Sequence, residues 1–311
     1  MQNKTIWETP QNKKKKGKPM EKIGFILKQM EKRIKGKRRQ LELILATFLA
    51  GGHLLLEDRP GVGKTTIAKT LAEVLGLEFK RIQFTADLLP SDILGVNYFD
   101  LNLKEFRFKK GPIFTEILLA DEINRASPKT QSGLLEGMEE QQVTIDGKSY
   151  RLSPFFFVIA TQNPLEESGT FPLPISQLDR FMSALSIGYP DREAERIILL
   201  RKGLPPVEKV ERTEVERLRQ LAREVIVREP IIQLLLNIGE FTRGELFKGG
   251  VSTRGLMAIL EMAKSWALIR GRDFVIDQDV VDVLPVTLSH RIVPKENNFS
   301  VIPTILSAVL K

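Results

Sequence analysis

His53-Leu54-Leu55-Leu56-Glu57-Asp58-Arg59-Pro60-Gly61-Val62-Gly63-Lys64-Thr65-Thr66 is the stretch on which the fold turns. Three consecutive leucines bounded by polar residues suit a strand buried on both faces. The chain then passes through a Gly-rich turn and continues as Ile67-Ala68-Lys69-Thr70-Leu71-Ala72, a helical stretch. Strand, turn and helix in this order make a phosphate cradle, with Pro60, Gly61, Val62, Gly63, Lys64, Thr65 and Thr66 as its binding positions. Gly61 and Gly63 let the backbone approach an anion in conformations that a Cβ disfavours. The amides of the loop and of the first helical turn then point at that anion. Lys64 would neutralise the outer phosphates, and the Thr65 hydroxyl would sit on Mg²⁺. The usual pattern opens with a glycine, and Asp58 stands there instead. Taken alone, the Gly-Lys-Thr piece also suits an ordinary strand–turn–helix.

Ile117-Leu118-Leu119-Ala120-Asp121-Glu122-Ile123-Asn124-Arg125 supplies the second half. An apolar run ends abruptly in two carboxylates. Asp121 is placed to hold Mg²⁺ through its waters, because that ion prefers octahedral oxygen ligands and dehydrates reluctantly. Glu122, one residue further out, is placed to orient and polarise the attacking water. An isolated Asp-Glu pair is often a solvated strand cap, but with the loop upstream the two halves together predict ATP binding and hydrolysis. The chain has no Asn-Lys-x-Asp sequence of the kind that reads guanine, which argues against GTP.

Composition bounds the remaining classes. The chain has 311 residues, 42% of them hydrophobic, enough for two compact units. It has no cysteine, so disulfides and thiolate metal sites are excluded, and its two histidines, His53 and His290, are far apart. The net charge of +8 is uneven: residues 1–38 carry 13 Lys/Arg against 3 Glu, and the rest is slightly acidic. The run Lys13–Lys16 belongs to a basic tail, expected to be a disordered, solubilising extension. A nucleic-acid groove would instead place positive charge on the body. The longest apolar stretch, Leu43–Leu56, is interrupted by Thr47, Gly51-Gly52 and His53 and falls short of a membrane span. No apolar core and cleavage site follow the basic N-terminus, so no secretory signal is read and a cytoplasmic protein is expected.

Four segments are expected: a basic tail (1–20), an α/β nucleotide-binding domain (21–190), a linker region (191–204) and a helical lid (205–311). Met20–Leu49 reads as helical, ending at Gly51-Gly52. Strands are expected at His53–Glu57, Lys80–Phe84, Ile117–Asp121, Phe155–Ala160 and Leu185–Ile187, giving a five-stranded parallel sheet covered on both faces. Val96–Phe108 alternates around Asp100-Leu101-Asn102, and Gln142–Leu152 around Asp146-Gly147, as hairpins would. From Asp191 amphipathic helical patterns dominate: Arg192–Leu200, Glu211–Val225, Ile231–Phe241, Thr253–Ile269 and Gln278–Leu288. Pro205-Pro206 marks a linker.

With these pieces assembled, the chain resembles the MoxR-type AAA+ ATPases, the group with a hairpin inserted in helix 2. The resemblance runs from about residue 30 to 293. It is carried by residues 51–65 and 119–126, by Ala-Thr-Gln-Asn-Pro (160–164), by Gly-Thr-Phe-Pro-Leu-Pro (169–174) and by Gln-Leu-Asp-Arg-Phe (177–181). Relatives tolerate a non-glycine at the place of Asp58. They usually have Ala where this chain has Gly133 and Gly137.

The resemblance implies an AAA+ P-loop core with a helical lid and gives three further residues a role. Asn163 resembles the first sensor, which helps to hold the attacking water. Arg180 resembles the arginine finger that reaches into a neighbouring subunit's site, where such a group is worth ~10³-fold or more in rate. Arg254, in Val-Ser-Thr-Arg-Gly, resembles the second sensor, coupling the lid to nucleotide state. The family arrangement rests the adenine near Ile34–Gly36. The implied assembly is a homo-oligomeric ring, a hexamer, that remodels or matures protein clients with partners bearing a von Willebrand factor A domain. The client would be a metalloenzyme, envelope or stress component. Two rival readings differ in class. A nucleic-acid translocating motor would use Lys104, Arg107, Lys109 and Lys110 on its hairpin. A slow ATP-binding switch would barely respond to changes at Arg180 or Glu122.

Overall fold

The computed structural model describes residues 10–163, 169–200, 203–296 and 299–310. The elements run α1 (Pro10–Arg33), α2 (Arg38–Ala50), β1 (Leu54–Glu57), α3 (Lys64–Leu75), β2 (Phe79–Gln83), α4 (Pro90–Leu94), β3 (Gly95–Asp100), β4 (Glu105–Lys110) and β5 (Ile117–Asp121). They continue as α5 (Pro128–Glu140), β6 (Gln142–Ile145), β7 (Lys148–Arg151), β8 (Phe157–Gln162), α6 (Ile175–Leu178), β9 (Ser183–Leu185) and α7 (Arg192–Leu200). The rest is helical: α8 (Arg212–Glu224), α9 (Glu229–Thr242), α10 (Thr253–Ile269), α11 (Asp277–Leu288) and α12 (Val301–Val309).

Five strands form one parallel sheet in the order β2-β5-β8-β1-β9. The strand that leads into the phosphate loop therefore lies next to the strand that carries Thr161. Alternate residues of the central strands enter two separate cores. Leu54, Leu56, Ile117, Leu119, Phe157 and Ile159 face one core, and Leu55, Leu118, Ala120, Val158 and Ala160 face the other. This is the period of two imposed by a pleated strand. The first core is continuous with α8–α12, so the helical domain shares its interior with one face of the sheet.

The two hairpins form as separate two-stranded sheets, β3–β4 and β6–β7. They pack on one another: the Phe108 and Tyr150 rings stack at 4.2 Å, and Asn97 donates to Asp146 at 2.6 Å.

Three expectations need correction. The single helix over Met20–Leu49 is two helices, broken at Ile34–Lys37, where Gly36 takes a left-handed φ of +68°. The tail expected over 1–20 is helical from Pro10 onward, as the start of α1, while residues 1–9 lie outside the described part. The linker region 191–204 contains α7, so the irregular connection narrows to the stretch before α8; residues 201–202 lie outside the described part. That helix is the amphipathic segment expected at Arg192–Leu200.

Candidate nucleotide site and a second arginine cluster

Gly61 and Gly63 have φ of +88° and +90°, and a Cβ built on either would meet nothing within 4 Å. Packing therefore does not demand glycine there. The conformation does, and the space in front of the loop is open to an anion. Gly63 is the N-cap of α3, so the positive end of that helix faces the same space. Lys64 Nζ donates to the Asp58 carbonyl at 2.7 Å, folding the side chain back across the loop.

Asp58 has its own work. Its buried carboxylate accepts from Ser186 Oγ at 2.6 Å and from the amides of Ile187 and Gly188. It ties the start of the phosphate loop to the end of β9, which explains why a non-glycine stands there.

At the end of β5, Asp121 is buried and held on both oxygens. Thr161 Oγ1 donates to Oδ1 at 2.6 Å, and Arg81 Nη2 to Oδ2 at 2.7 Å. Glu122 has a left-handed φ of +57°, rare outside glycine and a common mark of sites where a side chain must be aimed. Its amide donates to Thr161 Oγ1 at 2.9 Å. Its carboxylate accepts from Gln83 Nε2 at 2.8 Å and lies 2.9 Å from Arg125 Nε. Asn163 follows directly on β8, two residues beyond Thr161. Asp121, Glu122, Asn163 and the loop thus gather at the C-terminal ends of adjacent parallel strands. Among the described residues there is no protein-only cage of three or more His, Cys, Asp or Glu. The oxygens of Thr65 and Asp121 suit Mg²⁺, which takes its remaining ligands from phosphate and water.

Beside the loop lies a cavity of about 390 Å³, lined by Ile34, Lys35, Gly61, Gly63, Tyr189 and Leu199 among others. The break between α1 and α2 therefore serves a purpose: it brings Ile34 and Lys35 to the edge of the phosphate loop.

Arg180 and Arg254 lie elsewhere. Both reach Glu139 near the end of α5: Arg180 Nε is 3.2 Å from Oε2, and Arg254 Nη2 donates to Oε1. They share a cavity of about 410 Å³ with Gly51, Gly52 and His53, which precede β1. The phosphate loop follows β1. Four residues of extended chain, roughly 13 Å, separate the two ends of that strand. Phosphate loop and arginines stand at opposite ends of the parallel strands.

The arginine cluster is fixed to the lid from below. Asp179 accepts from Arg291 Nε at 2.7 Å and from Ser252 Oγ at 2.8 Å, the same hydroxyl that caps α10 by accepting from Gly255 N. Arg291 is buried and also donates to the carbonyls of Phe181, Met182 and Thr287. His290 Nε2 bonds the Phe181 carbonyl at 3.0 Å. Burial, reinforced by Arg291, pushes the His290 imidazole down to about 3. His53 is pushed down to about 4 by burial.

Sequence reasoning missed Arg81, Gln83, Thr161, Glu139, Asp179 and Arg291. Thr161 could have been read from its place inside Ala-Thr-Gln-Asn. Arg81 and Gln83 share one face of a strand at a spacing of two. Glu139 and Arg291 give no local signal.

Fold and site together define an AAA+ ATPase. Residues 53–183 match the ATPase family associated with various cellular activities (AAA), and residues 243–305 match the AAA lid domain. The uncharacterized protein YeaC of Bacillus subtilis is 45% identical over 86% of each chain. Chaperone MoxR1 of Mycobacterium tuberculosis is 41% identical over 85% of this chain and 74% of its own. The crystal structure of a protein from Cytophaga hutchinsonii assigned to the ATPases superposes with a TM-score of 0.88 at 35% identity, covering 96% of this chain and 97% of that one. The chain belongs to the MoxR family of AAA+ ATPases. Among the described residues, no helix is long and apolar enough to cross a membrane.

Proposed function

We propose that this protein hydrolyses Mg²⁺-ATP at sites shared between subunits of a homo-oligomeric ring, a hexamer, and uses the cycle to remodel protein clients. One observation carries the reading: Arg180 and Arg254 stand across the sheet from their own phosphate loop, so the phosphate they serve belongs to a neighbour.

The backbone from Pro60 to Thr66 cradles the phosphates, and Lys64 exchanges the Asp58 carbonyl for phosphate oxygen. Thr65 and Asp121 would hold Mg²⁺, which supplies Lewis acidity to the phosphoryl oxygens when bound. Glu122, aimed by its left-handed backbone and steadied by Gln83 and Arg125, orients the water. Asn163, which follows the adjacent strand β8, helps to hold that water. Arg180 and Arg254 of the adjacent subunit stabilise charge on the transferring group. The cavity at Ile34 and Lys35 receives the adenine.

A protein client is favoured over nucleic acid by the hairpin tip. Leu101, Leu103 and Phe106 are 81, 56 and 75% exposed there, an apolar rather than a phosphate-reading surface. Arg107, one of its cations, is within ion-pair range of Asp100 and Glu105. Chaperone MoxR1 of Mycobacterium tuberculosis carries that activity in its name, and the client reading follows it. Partners with a von Willebrand factor A domain follow from the family.

The test is Glu122→Gln, which binds ATP and stalls, used to capture proteins from a native lysate. Retention of a von Willebrand factor A protein, released by ADP, is the expected result. Nuclease-sensitive retention of nucleic acid alone would overturn the client reading. A monomeric mass for the ATP-loaded chain in analytical ultracentrifugation would overturn the ring.

A further inference from the structure

Glu139 is the carboxylate on which both interface arginines converge, one on each oxygen. The two cations come from different domains: Arg180 follows α6 at the edge of the sheet, and Arg254 is in the first turn of α10 in the lid. Side by side without an anion, two guanidinium groups repel and drift to separate solvated rotamers. Other carboxylates line the same cavity, but Asp179 is taken by Arg291 and Ser252, and Glu261 by Lys264. The guanidiniums are not sealed in. Arg180, Arg254 and Glu139 side chains are 28, 49 and 31% exposed. Arg180 Nε is buried without an aligned hydrogen bond, held by charge at 3.2 Å. That donor is therefore not committed to an aligned internal hydrogen bond.

We propose that Glu139 is a positioning residue: it holds Arg180 and Arg254 together at the subunit boundary, so that both meet a neighbour's phosphoryl group as one preassembled pair. The inference rests on the reading of Arg180 as acting across that boundary. Part-exposed ion pairs are weak, so Glu139 can yield the arginines to a phosphate, a stronger bidentate acceptor. Its contribution is to set rotamer and spacing beforehand.

The test uses the full chain. Glu139→Ala is expected to lower kcat on the order of ten-fold, with the affinity for a fluorescent ADP analogue unchanged, since ADP lacks the transferring phosphoryl group that the neighbour's arginines meet. Glu139→Gln, nearly isosteric and without charge, is expected to fall between the two and guards against misfolding of the alanine variant. The discriminating readout is mixed assembly. Chains of Glu139→Ala are mixed with chains of Glu122→Gln, whose own site is dead but whose arginines are intact. Turnover above the average of the two components is expected, because a neighbour's arginines complete the variant's site. Arg180→Ala mixed in the same way is the reference. Recovery with Arg180→Ala but not with Glu139→Ala overturns the role of Glu139 alone. Recovery with neither overturns the shared-site reading and the proposal with it. Unchanged kcat in both Glu139 variants also overturns the proposal.

Discussion

Replacing Arg291 with Met should unlatch the lid. The side chain is 2% exposed and its partner Asp179 16%. Arg291 donates to the Asp179 carboxylate at 2.7 Å and to the carbonyls of Phe181 at 2.6 Å and of Asp179 and Met182 at 3.1 Å. Methionine occupies much of the same volume but leaves one carboxylate without its charge partner and several carbonyls without a donor. Removing one member of such a buried pair costs about 3–5 kcal/mol, far above the ~1 kcal/mol ceiling of an exposed bridge. Urea unfolding of the two proteins measures the difference, and the core shared between the lid and the sheet makes a common transition the expectation. Asp179→Asn combined with Arg291→Met should restore much of the loss, because no buried charge is then stranded. A single-variant loss below about 1 kcal/mol would refute the argument, since the pair would then behave as a solvated surface bridge.

The remaining predictions concern the helices, the loop and pH. Gly133→Ala should stabilise by up to about 1 kcal/mol through helix propensity, because its Cβ would make an ordinary 3.4 Å contact with Leu94. Gly137→Ala should gain less or lose, since its Cβ would fall 2.7 Å from Ile113 Cδ1, and paired thermal melts that rank the two the other way would reject this. Gly63→Ala, at φ +90°, should cost about 1–2 kcal/mol of stability, and calorimetry should find nucleotide affinity at least ~10-fold weaker; unchanged affinity would remove the loop from the site. His53 and His290 have folded values near 4 and 3 against an ordinary 6.5. The unfolded chain therefore binds more protons between these limits, so stability is full above pH 6.5 and falls as pH drops. At pH 5 the loss should be about 2 kcal/mol per histidine, and urea midpoints that stay flat from pH 7 to 5 would contradict their burial.

What could be read from the sequence follows from the range over which each signal acts. The strand Ile117–Asp121 and the helix Thr253–Ile269 were placed to the residue, because burial on both sides and a clean apolar stripe mark them locally. The strand expected at Phe155–Ala160 lies two residues later, at Phe157–Gln162. Phe155 and Phe156 are buried in the turn before it, one in each core, and an apolar run does not say where its extended part begins. Helix α12 was not read at all; its nine residues, Val301–Val309, leave only Ile305 fully buried. The phosphate loop and the Asp121-Glu122 pair were legible because their chemistry demands particular residues at fixed spacing. The meeting of Glu139, Arg180 and Arg254 was not, because it joins positions 115 residues apart across two domains.

Asp179 and Arg180 are neighbours in the chain with opposite attachments, one gripping the lid and the other pairing with Glu139 of α5. Mechanically this is a fulcrum with no slack beside it. Helix α10 starts at the grip and extends for 17 residues, about 25 Å. A tilt of about 10° about Asp179 therefore sweeps the far end of that helix by about 4 Å, given its length. The guanidinium one residue away turns through the same angle but travels far less. A long arm and a short arm on one pivot trade distance for force, so a small push at the short end is read out as a broad stroke at the other.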